Sequence, residues 1–284
     1  MDKVWKIIDI IDWGKDFFAG KGIESSRLNI ELILCNVLKI DRIKLYTSYD
    51  LPLQQHELAQ IRDMVKRRAK REPLQYILGS TSFMGLEIMV DANVLVPRPE
   101  TEELVELVIK NHQSDKDLRI LDIGTGSGCI AIALSHFLPE SEVMGIDISE
   151  SALNLAKRNS EINFSKKISF EKKDFLKNCN FLGNYNVIVS NPPYISKKEY
   201  EGSDEKEIFY EPRQALTDED DGLVFYRKFA DTFRNLLSEG GRFYVELGYN
   251  QSVELAEIFE NDYDIIVHKD FAGIERIIEG CVKI

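Results

Sequence analysis

The sequence predicts an α/β fold: a seven-stranded, largely parallel sheet flanked by helices and preceded by a small all-helical segment. Three observations carry this. Apolar, β-rich runs at 120–123, 143–147 and 187–190 alternate with stretches of helical period, as in parallel sheets. Gly124, Gly126 and Gly128 make a tight turn from the first run into a helix. Residues 1–75 hold apolar positions at spacings of three and four and show no alternation.

Composition narrows the function classes. A chain of 284 residues, 44% hydrophobic, has material for a full core. With 48 acidic against 36 basic residues and a formal charge of -12, it is poorly suited to nonspecific DNA binding, which neutralises phosphates with Lys and Arg. Cys35, Cys129, Cys179 and Cys281 lie far apart, so neither a zinc pattern nor a disulfide framework is expected, and no metal site. With neither a signal peptide nor a membrane-spanning apolar run, a cytoplasmic protein is expected; a monomer is the separate expectation for its oligomeric state.

The helical segment, 1–75, takes its apolar faces from Val4, Ile7, Ile8, Ile11, Phe17 and Phe18, then Leu28, Leu32, Leu34 and Leu38, then Leu58, Ile61 and Val65. Ser25 or Ser26 is the expected cap of its second helix, and Leu51-Pro52 the expected opening of the next. Such a bundle packs or recognises a partner rather than carrying chemistry. Lys66, Arg67, Arg68, Lys70 and Arg71 form a basic run, readable as a solvated helix face or as a contact for RNA phosphates or an acidic partner. Residues 76–96, aromatic and β-branched with glycines at the bends, predict a β-hairpin linker. The second domain, 97–284, opens on Pro97-Arg98-Pro99, where two prolines hold Arg98 on a stiff backbone beside a pocket wall.

The Gly124-Thr125-Gly126-Ser127-Gly128 turn has the spacing GxGxG, neither the dinucleotide GxGxxG nor a phosphate-binding loop. Asp147 ends the second strand 19 residues after Gly128, placed to accept from the two hydroxyls of a ribose, with Ile148 beside it. Beyond a third strand, 168–171, Asp174 can accept from an adenine amino group and Phe175 can lie against the ring. A nucleoside without phosphate held in this way describes S-adenosyl-L-methionine, leaving as S-adenosyl-L-homocysteine.

The strand Val187-Ile188-Val189-Ser190 ends in Asn191-Pro192-Pro193-Tyr194. Prolines stop a strand, so Asn191 is either the polar end of an ordinary turn or a group fixed at the carboxyl mouth of the sheet, where ligands bind. Beside a methyl donor the second reading has a purpose. A planar NH₂ is a poor nucleophile, and the Asn191 side-chain oxygen with the Pro192 carbonyl can accept its two N–H bonds while Tyr194 stacks on it. Pro193 and Arg98 complete the expected substrate contacts. Residues 200–221 read as a long acidic cover of low regularity. A helix at 222–237 precedes a strand at 241–248 bearing Glu246, which is either a pocket carboxylate or a structural group. A helix at 253–259, a strand at 263–267 and a final strand entered through a tight turn complete the sheet: six strands parallel, one antiparallel.

The stretches REPLQYILG (71–79), VLVPRPETEELVE (94–106), LDIGTGSGCIAIAL (121–134), NVIVSNPPYI (186–195), EPRQAL (211–216), DGLVFYRKF (221–229) and AGIERIIEG (272–280) resemble the PrmC/HemK family of protein-(glutamine-N5) methyltransferases. The resemblance spans nearly the whole chain. It implies a class I S-adenosylmethionine-dependent fold, Rossmann-like. It implies as substrate the glutamine of the Gly-Gly-Gln loop of class 1 peptide chain release factors, gripped by Asn191, Pro192 and Tyr194, with the helical domain touching the release factor. Arg71, Ile274 and Thr217-Asp218-Glu219 depart from the family pattern at the hinge and the cover. Asn-Pro-Pro-Tyr alone serves adenine N6 in nucleic acid equally well, and a noncatalytic translation-associated module is a third possibility. Acidity and full-length similarity weigh against the second, the intact glycines, Asp147 and Asn191 against the third.

Overall fold

The computed structural model describes residues 4–177 and 183–283, so Cys179 lies outside the described residues. The chain divides into two compact units, 1–79 and 80–284.

The first unit is helical: α1 (Ile7–Gly20), α2 (Ser26–Leu38), α3 (Arg42–Thr47), α4 (Gln55–Ala69) and α5 (Leu74–Leu78). Of the predicted faces Ile7, Ile11, Phe18, Leu34, Ile61 and Val65 are buried in one core, but the second helix turns Ile30 and Ile33 into it as well, whereas Val4 and Leu28 stand exposed. Gly14 lets α1 lie directly on α2, since an added Cβ would stand 2.4 Å from Ile30 Cγ1. Two expected helix starts differ. Ser25 precedes α2 in the left-handed conformation without a side-chain cap, and Asn29 Nδ2 instead ties the entering chain by donating to the Glu24 and Ser25 carbonyls. Pro52 lies in a short bridge with Lys6, and the helix opens later, where Glu57 accepts from the Gln54 amide at 2.6 Å.

The basic run is not a uniformly solvated face. Arg68 is buried, donating to Asn29 Oδ1 (2.7 Å) and the Glu72 carbonyl (2.9 Å). Arg67 grips Glu72 with two bonds and Arg71 donates to the Lys21 carbonyl. Three of the five cations thus fasten the end of α4 to its surroundings.

The second unit opens with a hairpin, β1 (Ser80–Phe83) and β2 (Leu86–Met89), joined through Met84 and Gly85, both at positive φ, as a two-residue hairpin turn requires. Met89 exchanges two bonds with the Asn159 side chain, and Asn163 donates to the Glu87 carbonyl. The hairpin therefore belongs to the second unit. The boundary falls between Gly79 and Ser80, in place of a separate linker over 76–96.

The remaining elements are α6 (Pro99–His112), β3 (Arg119–Ile123), α7 (Cys129–Phe137), β4 (Glu142–Asp147), α8 (Glu150–Ile162), β5 (Ile168–Lys172), β6 (Tyr185–Ser190), α9 (Lys197–Glu201), α10 (Arg213–Leu216), α11 (Val224–Leu236), β7 (Leu237–Glu246), α12 (Ser252–Phe259), β8 (Tyr263–Lys269) and β9 (Glu275–Val282). Strands β3 to β9 form one sheet ordered β5-β4-β3-β6-β7-β9-β8, with β9 antiparallel to both neighbours and the other six strands running together. Its core includes the rings of Phe229, Phe233, Phe243, Phe259 and Tyr263. The chain reverses its direction of travel across the sheet between β3 and β6, and a crevice opens at such a point. Ile123 pairs with both Ile146 and Ser190, so Gly124, Asp147 and Asn191 leave three adjacent strands at one level.

On the side of β7 that faces α6, polar groups line up. Glu246 accepts from Thr101, near the start of α6. The Tyr244 hydroxyl meets Asn111 Nδ2 (3.1 Å) and His112 Nε2 (3.0 Å), at the helix end, and Arg242 pairs with Glu279.

The segment from 200 to 221 is more ordered than its composition predicts, because short-range side-chain bonds replace apolar periodicity. It holds α10 and a 3-10 turn, Ile208–Tyr210. Asp218 accepts from the amides of Asp220, Gly222 and Val224, and the Ile195 and Lys197 amides donate to the Leu216 and Asp220 carbonyls. Among the described residues no helix is long and apolar enough to cross a membrane, and no group of three or more His, Cys, Asp or Glu is arranged to hold a metal.

Candidate active site

A cavity of about 630 Å³ opens at the carboxyl ends of β3, β4 and β6, within the usual range for small-molecule sites. Gly124, Thr125, Gly126, Asp147, Ile148, Asp174 and Phe175 line it, together with Arg98, Asn191, Pro192 and Pro193. At Gly124 (φ +73°) an added Cβ would meet nothing, so this turn of backbone stands open for a ligand to approach. Gly128 (φ +81°) serves packing instead: its Cβ would lie 3.0 Å from Ala156 Cβ. Beneath the turn Asp122 is wholly buried and accepts from the Thr125 hydroxyl at 2.6 Å, and burial lifts its carboxyl to about 7.

Asp147 already holds protein groups. Its Oδ2 accepts from the Gly126 amide (2.9 Å) and its Oδ1 from the Ser149 amide (2.8 Å), drawing the two loops together. Burial raises its pKa, and the backbone bonds from Ser149, Gly126 and Ile148 oppose the rise. Asp174 caps the following turn through the amides of Leu176 and Lys177, and its other oxygen pairs with Lys177 Nζ at 3.0 Å. Ile148 is half exposed at the rim. Phe175 forms part of the wall but is 4% exposed and packs on Phe229, so its ring is committed to the core.

Asn191 Nδ2 donates to Thr101 Oγ1 at 3.0 Å, and that hydroxyl donates to Glu246 Oε2 at 2.7 Å. With Glu246 ionised, the polarity is fixed at each step. An ionised carboxylate only accepts, so Thr101 gives it its single proton and must accept from the amide nitrogen, which leaves Asn191 Oδ1 as the uncommitted end. Glu246 is 1% exposed and absent from the cavity wall; it holds Thr101 and accepts from the Tyr194 hydroxyl at 3.3 Å. Burial pushes Glu246 up to about 7, against the bonds from Thr101 and Tyr194 and the nearby charge of Arg276. Tyr194 likewise stands behind the wall, its ring against the core, its hydroxyl raised by burial and its carbonyl held by Gln251 Nε2.

Arg98 Nη2 pairs with Glu211 Oε2 at 2.5 Å, and Glu211 Oε1 accepts from the Val96 amide. Glu211 is buried, which raises its carboxyl, while Arg98 opposes the rise. The pair ties the Pro97-Arg98-Pro99 loop to the cover, which contributes Arg213, Gln214, Thr217, Asp218 and Glu219 to the cavity wall. Thr101 and Glu211 escaped the sequence reading. Their partners lie 90 and 113 residues away, and only the match of both stretches to one family put them in view.

The profile of the PrmC N-terminal domain matches residues 9–79, and that of a methyltransferase domain matches residues 114–274. Among solved structures, a methyltransferase from Pyrococcus furiosus aligns with TM-score 0.53 at 21% identity, covering 80% of this chain and 98% of that one. A ribosomal protein L11 methylase from Lactobacillus delbrueckii subsp. bulgaricus aligns with TM-score 0.50 at 22% identity, covering 69% and 86%. These similarities establish the fold. The release factor glutamine methyltransferase of Geobacter sulfurreducens is 40% identical over 280 residues, 98% of this chain and 97% of its own length. That of Flavobacterium psychrophilum is 40% identical over 268 residues, covering 92% and 93%. Matched from end to end at this identity, the chain belongs to the release factor glutamine methyltransferase family.

Proposed function

We propose that this chain transfers a methyl group from S-adenosyl-L-methionine to the side-chain amide nitrogen, N5, of the glutamine in the Gly-Gly-Gln loop of bacterial release factors 1 and 2. The observation that carries the reading is the uncommitted Oδ1 of Asn191, held at the level of the Gly124 turn and Asp147 in one cavity.

The residues present fit the cofactor. The turn at Gly124 and Gly126 leaves room for a ligand at the backbone, Asp147 offers carboxylate oxygens to a ribose, Asp174 offers an acceptor to adenine, and Ile148 offers an apolar contact. When bound, the cofactor supplies an electrophilic methyl carbon on a cationic sulfur. The chain's part is then alignment. Asn191 Oδ1 and the Pro192 carbonyl accept the two N–H bonds of the substrate amide and fix its plane, which orients the nitrogen for in-line displacement. The charged nitrogen formed by transfer loses its proton afterwards, so no strong base is required. Tyr194 and Glu246 take part as supports of Asn191 and its loop, and Arg98 as the rigid edge of the cavity.

The helical unit is the part we assign to release-factor recognition. Trp13, Ile43 and Tyr46 stand exposed on it. The test is transfer of labelled methyl from S-adenosyl-L-methionine to a purified release factor, the same factor with its loop glutamine changed to alanine, or DNA. Label on the first alone is expected. Label that persists on the glutamine variant, or appears only on DNA, would overturn the assignment.

A further inference from the structure

We propose that the Glu246 carboxylate, acting through the Thr101 hydroxyl, sets which end of the Asn191 carboxamide faces the cavity, and thereby switches the acceptor on and off with pH. The inference rests on the reading of Asn191 as acceptor for the substrate amide, and goes beyond it to two positioning residues.

A carboxamide is nearly symmetric in shape but opposite in polarity at its two ends. Nothing in the shape of Asn191 chooses between them; its partner does. With Glu246 ionised, the chain of donors runs Asn191 Nδ2 to Thr101 Oγ1 to Glu246 Oε2, and Oδ1 faces the cavity as an acceptor. A proton on Glu246 Oε2 makes that group a donor to Thr101. The hydroxyl proton then turns to Asn191, bonds Oδ1, and swings the NH₂ end into the cavity. Two NH₂ groups facing each other cannot bond, so the substrate amide loses its grip without any change in shape.

Glu246 is the group that can make this switch. Facing it are Thr101 and Glu100 from α6, Tyr194 from the loop after β6, Arg276 from β9, Cys129 from α7 and Tyr226 from α11, whose hydroxyl donates to the Glu246 carbonyl at 2.8 Å. Arg276 is paired with Asp270 at 3.3 Å. Burial pushes Tyr194, Tyr226 and the Cys129 thiol upward, which takes all three away from neutral pH, whereas the same burial brings Glu246 to about 7.

The test reads the amide directly. In the full ¹⁵N-labelled chain, the Asn191 side-chain NH₂ resonances, assigned by their loss in Asn191→Ala, are followed over about two pH units on either side of neutrality. One transition is expected, with the protons protected from exchange on its alkaline side. Thr101→Val and Glu246→Gln should remove the transition, and Thr101→Ser should keep it. In turnover, kcat of the wild type should fall on the acid side of the same transition. Thr101→Val should lower kcat by roughly 100-fold, the cost of a misplaced reacting group, with cofactor Kd within about twofold of the wild type, and Thr101→Ser should recover most of the loss. An Asn191 amide that ignores pH, or a Thr101→Ser variant as impaired as Thr101→Val, would overturn the proposal. The titration itself is read on the wild type, with Asn191→Ala used only to assign the resonances. If the wild type labels no glutamine, the function proposed above fails, while the amide titration still decides the polarity.

Discussion

Asp147→Ala tests how one carboxylate divides its work between fold and ligand. The wild-type group accepts from the Gly126 and Ser149 amides, and each such bond contributes about 1 kcal/mol net. Losing both should therefore cost the second unit about 2 kcal/mol, a fall in Tm of roughly 4–8 °C at this chain length. Cofactor affinity should fall further. A charged acceptor on a ribose contributes about 1.5–3 kcal/mol, which corresponds to roughly a 10- to 150-fold rise in Kd. Slackening of the glycine turn adds to the loss. Calorimetric titration with S-adenosyl-L-methionine and with S-adenosyl-L-homocysteine reads the second effect, and differential scanning calorimetry the first. Both ligands share the ribose, so both should weaken together. A Kd within twofold of the wild type, with the Tm lowered as expected, would show that Asp147 serves the loop alone and that the ribose lies elsewhere.

Asp122→Asn should stabilise the fold in a pH-dependent way. Burial moves this carboxyl from its ordinary 3.8 to about 7, so the folded form binds the proton more tightly than the unfolded form, and stability drains away as pH rises through that window. The variant should gain up to about 4 kcal/mol over the wild type above pH 7 and little below pH 4, read as Tm against pH; a gain independent of pH would refute the cause. Gly128→Ala combines a left-handed backbone with a contact at 3.0 Å, and a loss of about 2–3 kcal/mol in urea unfolding is expected; an unchanged midpoint would contradict it. In the helical unit Glu31 is 0% exposed, and although burial raises its carboxyl, bonds from Arg27, Arg42 and Tyr46 outweigh the rise and lower it. That stability is present above the ordinary carboxylate range and lost as pH falls through the lowered value. Glu31→Ala should cost roughly 2–3 kcal/mol, discounted because both arginines are half exposed, and hydrogen exchange in α2 and α3 would report it.

What could be read from the chain alone is what local sequence encodes. The order of strands and helices, the GxGxG turn, Asp147 at a strand end and Asn191 before two prolines are all written within a few neighbouring residues, and each stands in the cavity region. The misreadings share a cause: a polar residue takes its meaning from a partner that may be anywhere. Arg68 looks like surface charge until Asn29 and Glu72 close around it. Phe175 follows Asp174 like a stacking ring, yet Phe229 claims it. Glu211 lies in the acidic cover with nothing local to mark it, yet it is buried and paired with Arg98. Glu246 reads from sequence as either a pocket carboxylate or a structural group, and its bonds to Thr101 and Tyr194 come into view only in the fold.

The polar file between α6 and β7 gives the helix a register. An oily seam lets a helix settle wherever its side chains fit best, and tolerates small slides. A seam keyed at both ends does not: Thr101 must meet Glu246 while Asn111 and His112 meet Tyr244, about 16 Å further along at 1.5 Å per residue. The far lock therefore serves as the datum from which the near one is measured. Where Asn191 points is decided partly by a tyrosine at the opposite end of a helix, and the tolerances of the chemistry extend that far into what would otherwise pass for ordinary core.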